Sequence, residues 1–240
     1  EAEKTDILRF VIEKNKGKLP IVYGIGGNNT QHCLQQIKLT AYHSVHAILS
    51  VSPYYNKPSQ EGIYQHYKAL ADASPVPVIL YNVPGRTGSN INAETCLRLA
   101  DHENIIGVKD ASCNFTQLTQ IAKYKPDDFC LISGDDLATV PMIAVGGCGV
   151  ISVMANAFPE IFKAMVDAAL QSNYQKAQAE LFKLLEITPL MFEEGNPVGI
   201  KEVLQQMNIC DPYVRLPLVQ ATVSLKRRIK QQLEDMMSLK

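Results

Sequence analysis

The sequence predicts an α/β protein built on a parallel sheet, and three observations carry that reading. Six short runs rich in β-branched residues recur along the chain: 19–27 (LPIVYGIGG), 45–53 (VHAILSVSP), 76–84 (VPVILYNVP), 104–112 (NIIGVKDAS), 129–136 (FCLISGDD) and 148–156 (CGVISVMAN). Within each run the apolar residues continue without alternation, as they do in a strand covered on both faces. Between the runs lie segments with apolar residues at helical spacing, so strand and helix alternate at roughly 25–30 residues per unit. At 240 residues and 46% hydrophobic content, the chain is long enough to bury a sizeable core.

Taken in order, each element has a local reason. The first run leads into GIGGNN (24–29), which resembles a dinucleotide loop but places Asn29 where the third glycine belongs. No acidic residue ends a strand about 20 residues on, as that fingerprint requires. Asn29 or Thr30 caps the next helix, with Leu34, Ile37 and Ala41 along one side. Ser59, followed by Gly62, caps the helix after the second run, and Asn92 caps the one carrying Cys96, Leu97 and Leu99. Asn114 does the same after the fourth run. From about residue 157 the strands stop, and some 80 residues of helical pattern follow, broken near Pro189, Gly195-Asn196-Pro197 and Pro212. We therefore divide the chain into an α/β body over 1–170 and a helical region over 171–240 packed on it.

Composition excludes several classes of function. A formal net charge of −1 and the absence of a long basic run argue against a nucleic-acid partner. Lys226-Arg227-Arg228 with Lys230 reads as the solvated face of a terminal amphipathic helix. Six cysteines without a C-x-x-C pair point to reduced thiols and a cytoplasmic protein. No apolar run reaches the roughly 18 residues of a membrane helix. P-loop, G-x-S-x-G and H-E-x-x-H motifs are absent, and His43 and His46 read as helix-end residues, not metal ligands.

Polar residues cluster at the C-terminal ends of the apolar runs: Asn28, Tyr54-Tyr55-Asn56, Tyr81-Asn82, Lys109-Asp110 and Gly134-Asp135-Asp136. Two architectures fit six such units, an open doubly wound sheet and part of a (β/α)8 barrel. In a barrel these ends converge on one mouth, where the active sites of that fold lie. Lys109 interrupts an oily strand, and apolar neighbours disfavour its ammonium form. A neutral amine attacks a ketone to form a Schiff base, and Tyr81 at the end of the adjacent strand is placed to move the protons.

At these residues a resemblance emerges. YNVPGRTG (81–88), GVKDAS (107–112), SPYYNKPSQEGIYQHY (52–67), SGDD (133–136) and GGCGVISV (146–153) resemble the dihydrodipicolinate synthases, the lysine-pathway branch of the N-acetylneuraminate lyase family of class I aldolases. The resemblance runs along the whole chain. It implies a TIM (β/α)8 barrel, six strand–helix units of which are visible here, with a C-terminal helical extension. It also implies condensation of pyruvate with L-aspartate-4-semialdehyde, in lysine and diaminopimelate biosynthesis, without cofactor or metal. Lys109 matches the Schiff-base lysine and Tyr81 the proton-relay tyrosine. Tyr55 matches a relay tyrosine donated by a neighbouring subunit, which implies a homo-oligomer, usually a dimer of dimers. Arg86 matches the residue that holds the semialdehyde carboxylate, while Gly134 and Ile151 match positions lining the pyruvate pocket. Asn28 and Tyr54 agree with the family's lysine-feedback site, but His32 stands where lysine-sensitive members carry an acid, so weak inhibition by lysine is expected.

One departure is large. Nothing matches the family's GTTGE motif, which supplies a relay hydroxyl and contacts to the pyruvate carboxylate. The expectation is therefore a native product with roughly 50 further residues before Glu1, carrying two more strand–helix units, and little activity in the 240-residue chain alone. Two other readings remain open: a sibling aldolase for sialic acid or a keto-deoxy sugar acid, and a non-catalytic barrel.

Overall fold

The structure, a computed structural model, describes residues 2–238. They fall into two compact units. One takes the chain up to Gly134 together with Val145–Cys148; the other takes Asp135–Ala144 and the chain from Gly149 onward.

The first unit alternates helix and strand: α1 (Ala2–Asn15), β1 (Val22–Gly24), α2 (Thr30–Leu39), β2 (Ala47–Val51), α3 (Gln60–Ala73), β3 (Val78–Asn82), α4 (Pro84–Thr87), α5 (Ala93–Ala100), β4 (Ile105–Asp110), α6 (Phe115–Tyr124) and β5 (Cys130–Ser133). β1 to β5 pair in parallel and in sequence order, each strand joined to the next through a helix. That is the strand order of a (β/α)8 barrel, in which every crossover helix packs back onto its own strand pair. The strands are shorter than the apolar runs, because each run continues into the loop that leaves the sheet. Ile48, Leu80, Leu118 and Leu131 are fully buried, as strands and helices covered on both faces require.

Helix starts follow the expected caps. Side-chain oxygens of Asn29, Ser59, Asn92 and Asn114 accept from the backbone N–H groups of His32, Gly62, Thr95 and Gln117. α2 ends at Leu39, so Ala41 lies beyond it, and His43 and His46 stand in the loop before β2, not at the helix end. His46 Nδ1 accepts from the Ile21 N–H at 3.1 Å, a loop-fixing bond that explains its place. Within GIGG, Gly26 serves packing: a Cβ there would lie 2.8 Å from Val51 Cγ1 and 2.9 Å from Val51 N. All six cysteines are free thiols.

The second unit holds α7 (Thr139–Ala144), β6 (Gly149–Val150), α8 (Pro159–Leu170), α9 (Tyr174–Phe182), α10 (Val198–Gln206) and α11 (Val223–Ser238). Its core is one cluster that includes Met154, Phe162, Met165, Leu184, Met191, Val203, Leu225 and Ile229. In the basic stretch of α11, Arg227, Arg228 and Lys230 face solvent as expected, and Lys226 is half-buried. Arg228 pairs with Glu193, and Lys226 Nζ lies 3.4 Å from the carboxylate of Glu202, which is 2% exposed. A buried carboxylate needs such a partner, and the helix face that carries Leu225 and Ile229 inward brings Lys226 to it. Among the described residues, no helix is long and apolar enough to cross a membrane.

Candidate active site

β3 and β4 run side by side with Tyr81 opposite Lys109. Both side chains leave the same face of the sheet, and Lys109 Nζ sits 4.1 Å from the centre of the Tyr81 ring. Lys109 is 8% exposed, so its amine lies in a nearly closed recess that still communicates with solvent. Burial pushes the Tyr81 phenol above its ordinary pKa, and the positive charge of Arg86 opposes that push. The sequence expectation that strand ends bring these two side chains together is met at the level of contact.

Gly134 closes one side of the recess. A Cβ there would stand 3.1 Å from Lys109 Cε and 2.9 Å from the Ala111 Cβ. A side chain at this position would displace the lysine, so a glycine is what the close approach requires. The Gly134 N–H donates to the Asp110 carbonyl at 2.8 Å, which holds the β5 end against the β4 end.

Arg86 lies on the single-turn helix α4, whose C-cap Gly88 has φ 73°. The turn is tied by the Thr87 hydroxyl, which donates to Val83 O at 3.2 Å and to Ser89 O at 2.7 Å. Arg86 itself is exposed, its guanidinium available to an anionic ligand. The loop after β2 docks on this turn, with the Tyr55 N–H donating to Thr87 O at 3.3 Å. Tyr55 is 87% exposed and has φ 73°, a left-handed conformation unusual for an aromatic residue. It is therefore displayed outward, away from its own recess.

Asn28 and Tyr54 lie at the same loop, and His32 lies on α2. Asn56 Nδ2 donates to Asn28 O at 3.1 Å, His32 is exposed and 2.8 Å from Gln36 Nε2 through its own Nε2, and Tyr54 is 42% exposed. Ile151 belongs to the second unit, half-buried just past β6. In that unit Asp136 accepts from Val153 N at 3.2 Å and Met154 N at 3.4 Å, fixing the turn that follows Ile151. Burial raises the pKa of Asp136.

Asn82 and Asp110 differ from the sequence reading, which set them at the mouth beside Tyr81 and Lys109. Successive residues of a strand point to opposite faces, so both turn to the back of the sheet, where they bond to each other at 2.7 Å. The signal was available in the pleat itself, since a one-residue step from Lys109 reverses the side chain.

A model of the dihydrodipicolinate synthetase family matches residues 1–236. The chain is 51% identical over 229 residues to the 4-hydroxy-tetrahydrodipicolinate synthase of Cytophaga hutchinsonii, covering 95% of this chain and 77% of that protein. It is 48% identical over 228 residues to the synthase of Flavobacterium psychrophilum, covering 95% and 78%. The crystal structure of dihydrodipicolinate synthase from Thermotoga maritima superposes with a TM-score of 0.95 at 33% identity, over 99% of this chain and 82% of that one. The chloride-inhibited synthase of Acinetobacter baumannii, solved with pyruvate, gives 0.95 at 34% identity, over 98% and 81%. A family match along nearly the whole chain and a recess built on Lys109 and Tyr81 lead to one assignment: the chain belongs to the dihydrodipicolinate synthetase family.

Proposed function

We propose that this protein condenses pyruvate with L-aspartate-4-semialdehyde through an imine on Lys109, as a 4-hydroxy-tetrahydrodipicolinate synthase of lysine and diaminopimelate biosynthesis. The observation that carries the proposal is the recess in which a nearly buried primary amine stands 4.1 Å from a tyrosine ring. The neutral Lys109 amine attacks C2 of pyruvate, and loss of water from the carbinolamine leaves the imine. Loss of a C3 proton gives the enamine, whose C3 attacks the aldehyde carbon of the second substrate and forms the new C–C bond. The substrate's own amine then adds to C2 and displaces Lys109 Nζ, which closes the ring and frees the enzyme; one water leaves overall.

Each role rests on chemistry suited to its place. Tyr81, kept protonated by its burial, donates and recovers protons at the carbinolamine oxygen. Arg86, always charged and exposed beside the recess, holds the carboxylate of the semialdehyde. Gly134 leaves room for pyruvate beside Lys109, and Ile151 is assigned to pyruvate binding by the family resemblance. Tyr55, displayed outward on a strained backbone, is assigned to the relay of a second copy, so the working form is a homo-oligomer, a dimer of dimers. Asn28, His32 and Tyr54 are assigned to a weakened lysine-feedback site. The enzyme works in the cytoplasm on small-molecule substrates.

Borohydride reduction of the full-length protein in the presence of pyruvate tests the proposal. One adduct is expected, with the mass of a reduced pyruvyl group, on the peptide that contains Lys109, and Lys109→Arg abolishes it. An adduct on another lysine would overturn the assignment of the nucleophile.

A further inference from the structure

Behind the face that carries Tyr81 and Lys109 lies a buried polar cluster that no catalytic step uses. Asn82 is fully buried, Asp110 is 1% exposed and Gln117 is 6% exposed. Asn82 Nδ2 donates to Asp110 Oδ2 at 2.7 Å and to Asn90 Oδ1 at 2.8 Å, while its own Oδ1 accepts from the Ile91 N–H at 3.0 Å. Asn90 Nδ2 donates to Gln117 Oε1 at 2.8 Å, and Asp110 Oδ1 accepts from the Ser112 N–H at 2.7 Å. Gln60 joins from α3, donating to Asn90 O at 2.7 Å and accepting from the Asn92 N–H at 3.1 Å. β3, β4, α3, α6 and the loop before α5 thus meet in one network.

The backbone shows what the network decides. Val78 pairs with Ile105, yet Ile79 pairs with Gly107, so β4 carries one extra residue, Ile106, at the start of the pair. Bulges are uncommon in parallel pairs, and a one-residue slip turns a strand's side chains to the opposite face. Without the extra residue, Val108 would stand opposite Tyr81, and Lys109 opposite Asn82. With it, Tyr81 meets Lys109 and Asn82 meets Asp110. Gly107 fits the shifted strand tightly: a Cβ there would lie 2.6 Å from Cys130 O. The apolar residues of β3 and β4 do not discriminate between the two registers. The Asn82–Asp110 bond exists only in the shifted one, and without it the buried Asp110 Oδ2 would keep only the long contact from Gln117 Nε2 at 3.5 Å.

We infer that Asn82 and Asp110 are positioning residues, whose bond on the back of the sheet selects the bulged register and so sets Lys109 beside Tyr81 on the front. They touch no substrate. The inference rests on the proposed function, because it concerns the geometry of the imine-forming lysine.

The test uses the full-length protein and pyruvate with cyanoborohydride, measured as the initial rate of adduct formation per folded molecule, with steady-state kinetics alongside. Asp110→Asn leaves one acceptor where two are used and turns an amide toward a donor. Its trapping rate and kcat are expected to fall about 10²-fold, the scale on which a 1 Å misplacement acts. The KM for the semialdehyde, set by Arg86 away from the network, is expected to stay within about threefold. The exchange Asn82→Asp with Asp110→Asn recreates a carboxylate–amide pair in the opposite sense and is expected to restore both rates to within about threefold of the parent. Should Asp110→Asn alone lose the parental circular dichroism, the exchanged pair carries the test: folded and trapping supports the inference, folded without trapping overturns it. Trapping by folded Asp110→Asn at the parental rate overturns the inference alone, whereas absence of trapping in the parent overturns the proposed function and this inference with it.

Discussion

Arg86 shows how much of the site depends on a single exposed cation. Its charge reaches the Tyr81 phenol, where it is the influence that opposes burial. Because the guanidinium is exposed, a carboxylate can reach it without either partner first being stripped of water in a closed site. Arg86→Ala is expected to raise the KM for the semialdehyde by about 30- to 1000-fold, equivalent to about 2–4 kcal/mol, and to leave that for pyruvate nearly unchanged. Steady-state kinetics with each substrate varied in turn separate the two, and equal damage would make Arg86 a brace of the α4 turn. Tyr81 is expected to respond as well: without the cation, the phenol pKa rises further, so the phenol stays protonated to still higher pH. Lys109 and Tyr81 stood out in the sequence, since a lone charge or phenol at the end of an oily strand contrasts with its neighbours, whereas Arg86 was singled out only by the family resemblance. Asn82 and Asp110 were visible as residues but not as a bond, because the bulge that pairs them has no local mark beyond Gly107.

At the scale of elements, the helix starts were the most legible feature. A cap and the N–H it accepts lie three residues apart, so nothing distant can change the pairing. Asn92 illustrates this, its Oδ1 accepting from the Thr95 N–H at 2.7 Å at the head of α5. Asn92→Ala is expected to lower the denaturant midpoint by the equivalent of about 1 kcal/mol, and Asn92→Ser to recover most of the loss. An unchanged midpoint in the alanine variant would mean that the Gln60 bond to the Asn92 backbone holds the helix start by itself. Strand limits were less legible than caps. The runs at 45–53 and 76–84 carry apolar residues into the loops, where Pro53 and Val83 are buried without belonging to the sheet. Apolar burial and ladder pairing are separate requirements, and only the first is written into composition.

For the molecule as a whole, the alternation of strand and helix was readable because each crossover repeats one local problem, whereas ion pairing was not. Lys226 finding Glu202 and Arg228 finding Glu193 depend on how α11 lies on its own unit, which no spacing encodes. Acid stability is a further property of the assembled fold, and His66 on α3 is its clearest determinant. The ring is 4% exposed; Nδ1 lies 2.8 Å from the Thr30 hydroxyl, and Nε2 has no hydrogen-bond partner. Burial pushes the pKa down to about 4 from the ordinary 6.5, since an imidazolium would place a second donor where no acceptor waits. In the unfolded chain the ring takes up its proton near the ordinary value, so between the two values the unfolded state binds more protons. Folding stability from this residue is therefore complete above about pH 6.5, declines as the pH falls through that window, and levels off below about 4. The loss amounts to about 3 kcal/mol across the window, at 1.36 kcal/mol per pKa unit. Asp136 acts in the opposite sense, because its raised pKa lets the folded state hold a proton that the unfolded state releases. The parent alone therefore shows only the sum, and a variant has to isolate the histidine. His66→Gln keeps a polar group near Thr30 without a titrating ring, and its denaturant midpoint is expected to fall less steeply than the parent's between about pH 6.5 and 4. Parallel slopes for parent and variant would show that His66 takes up its proton in the folded state as readily as in the unfolded chain.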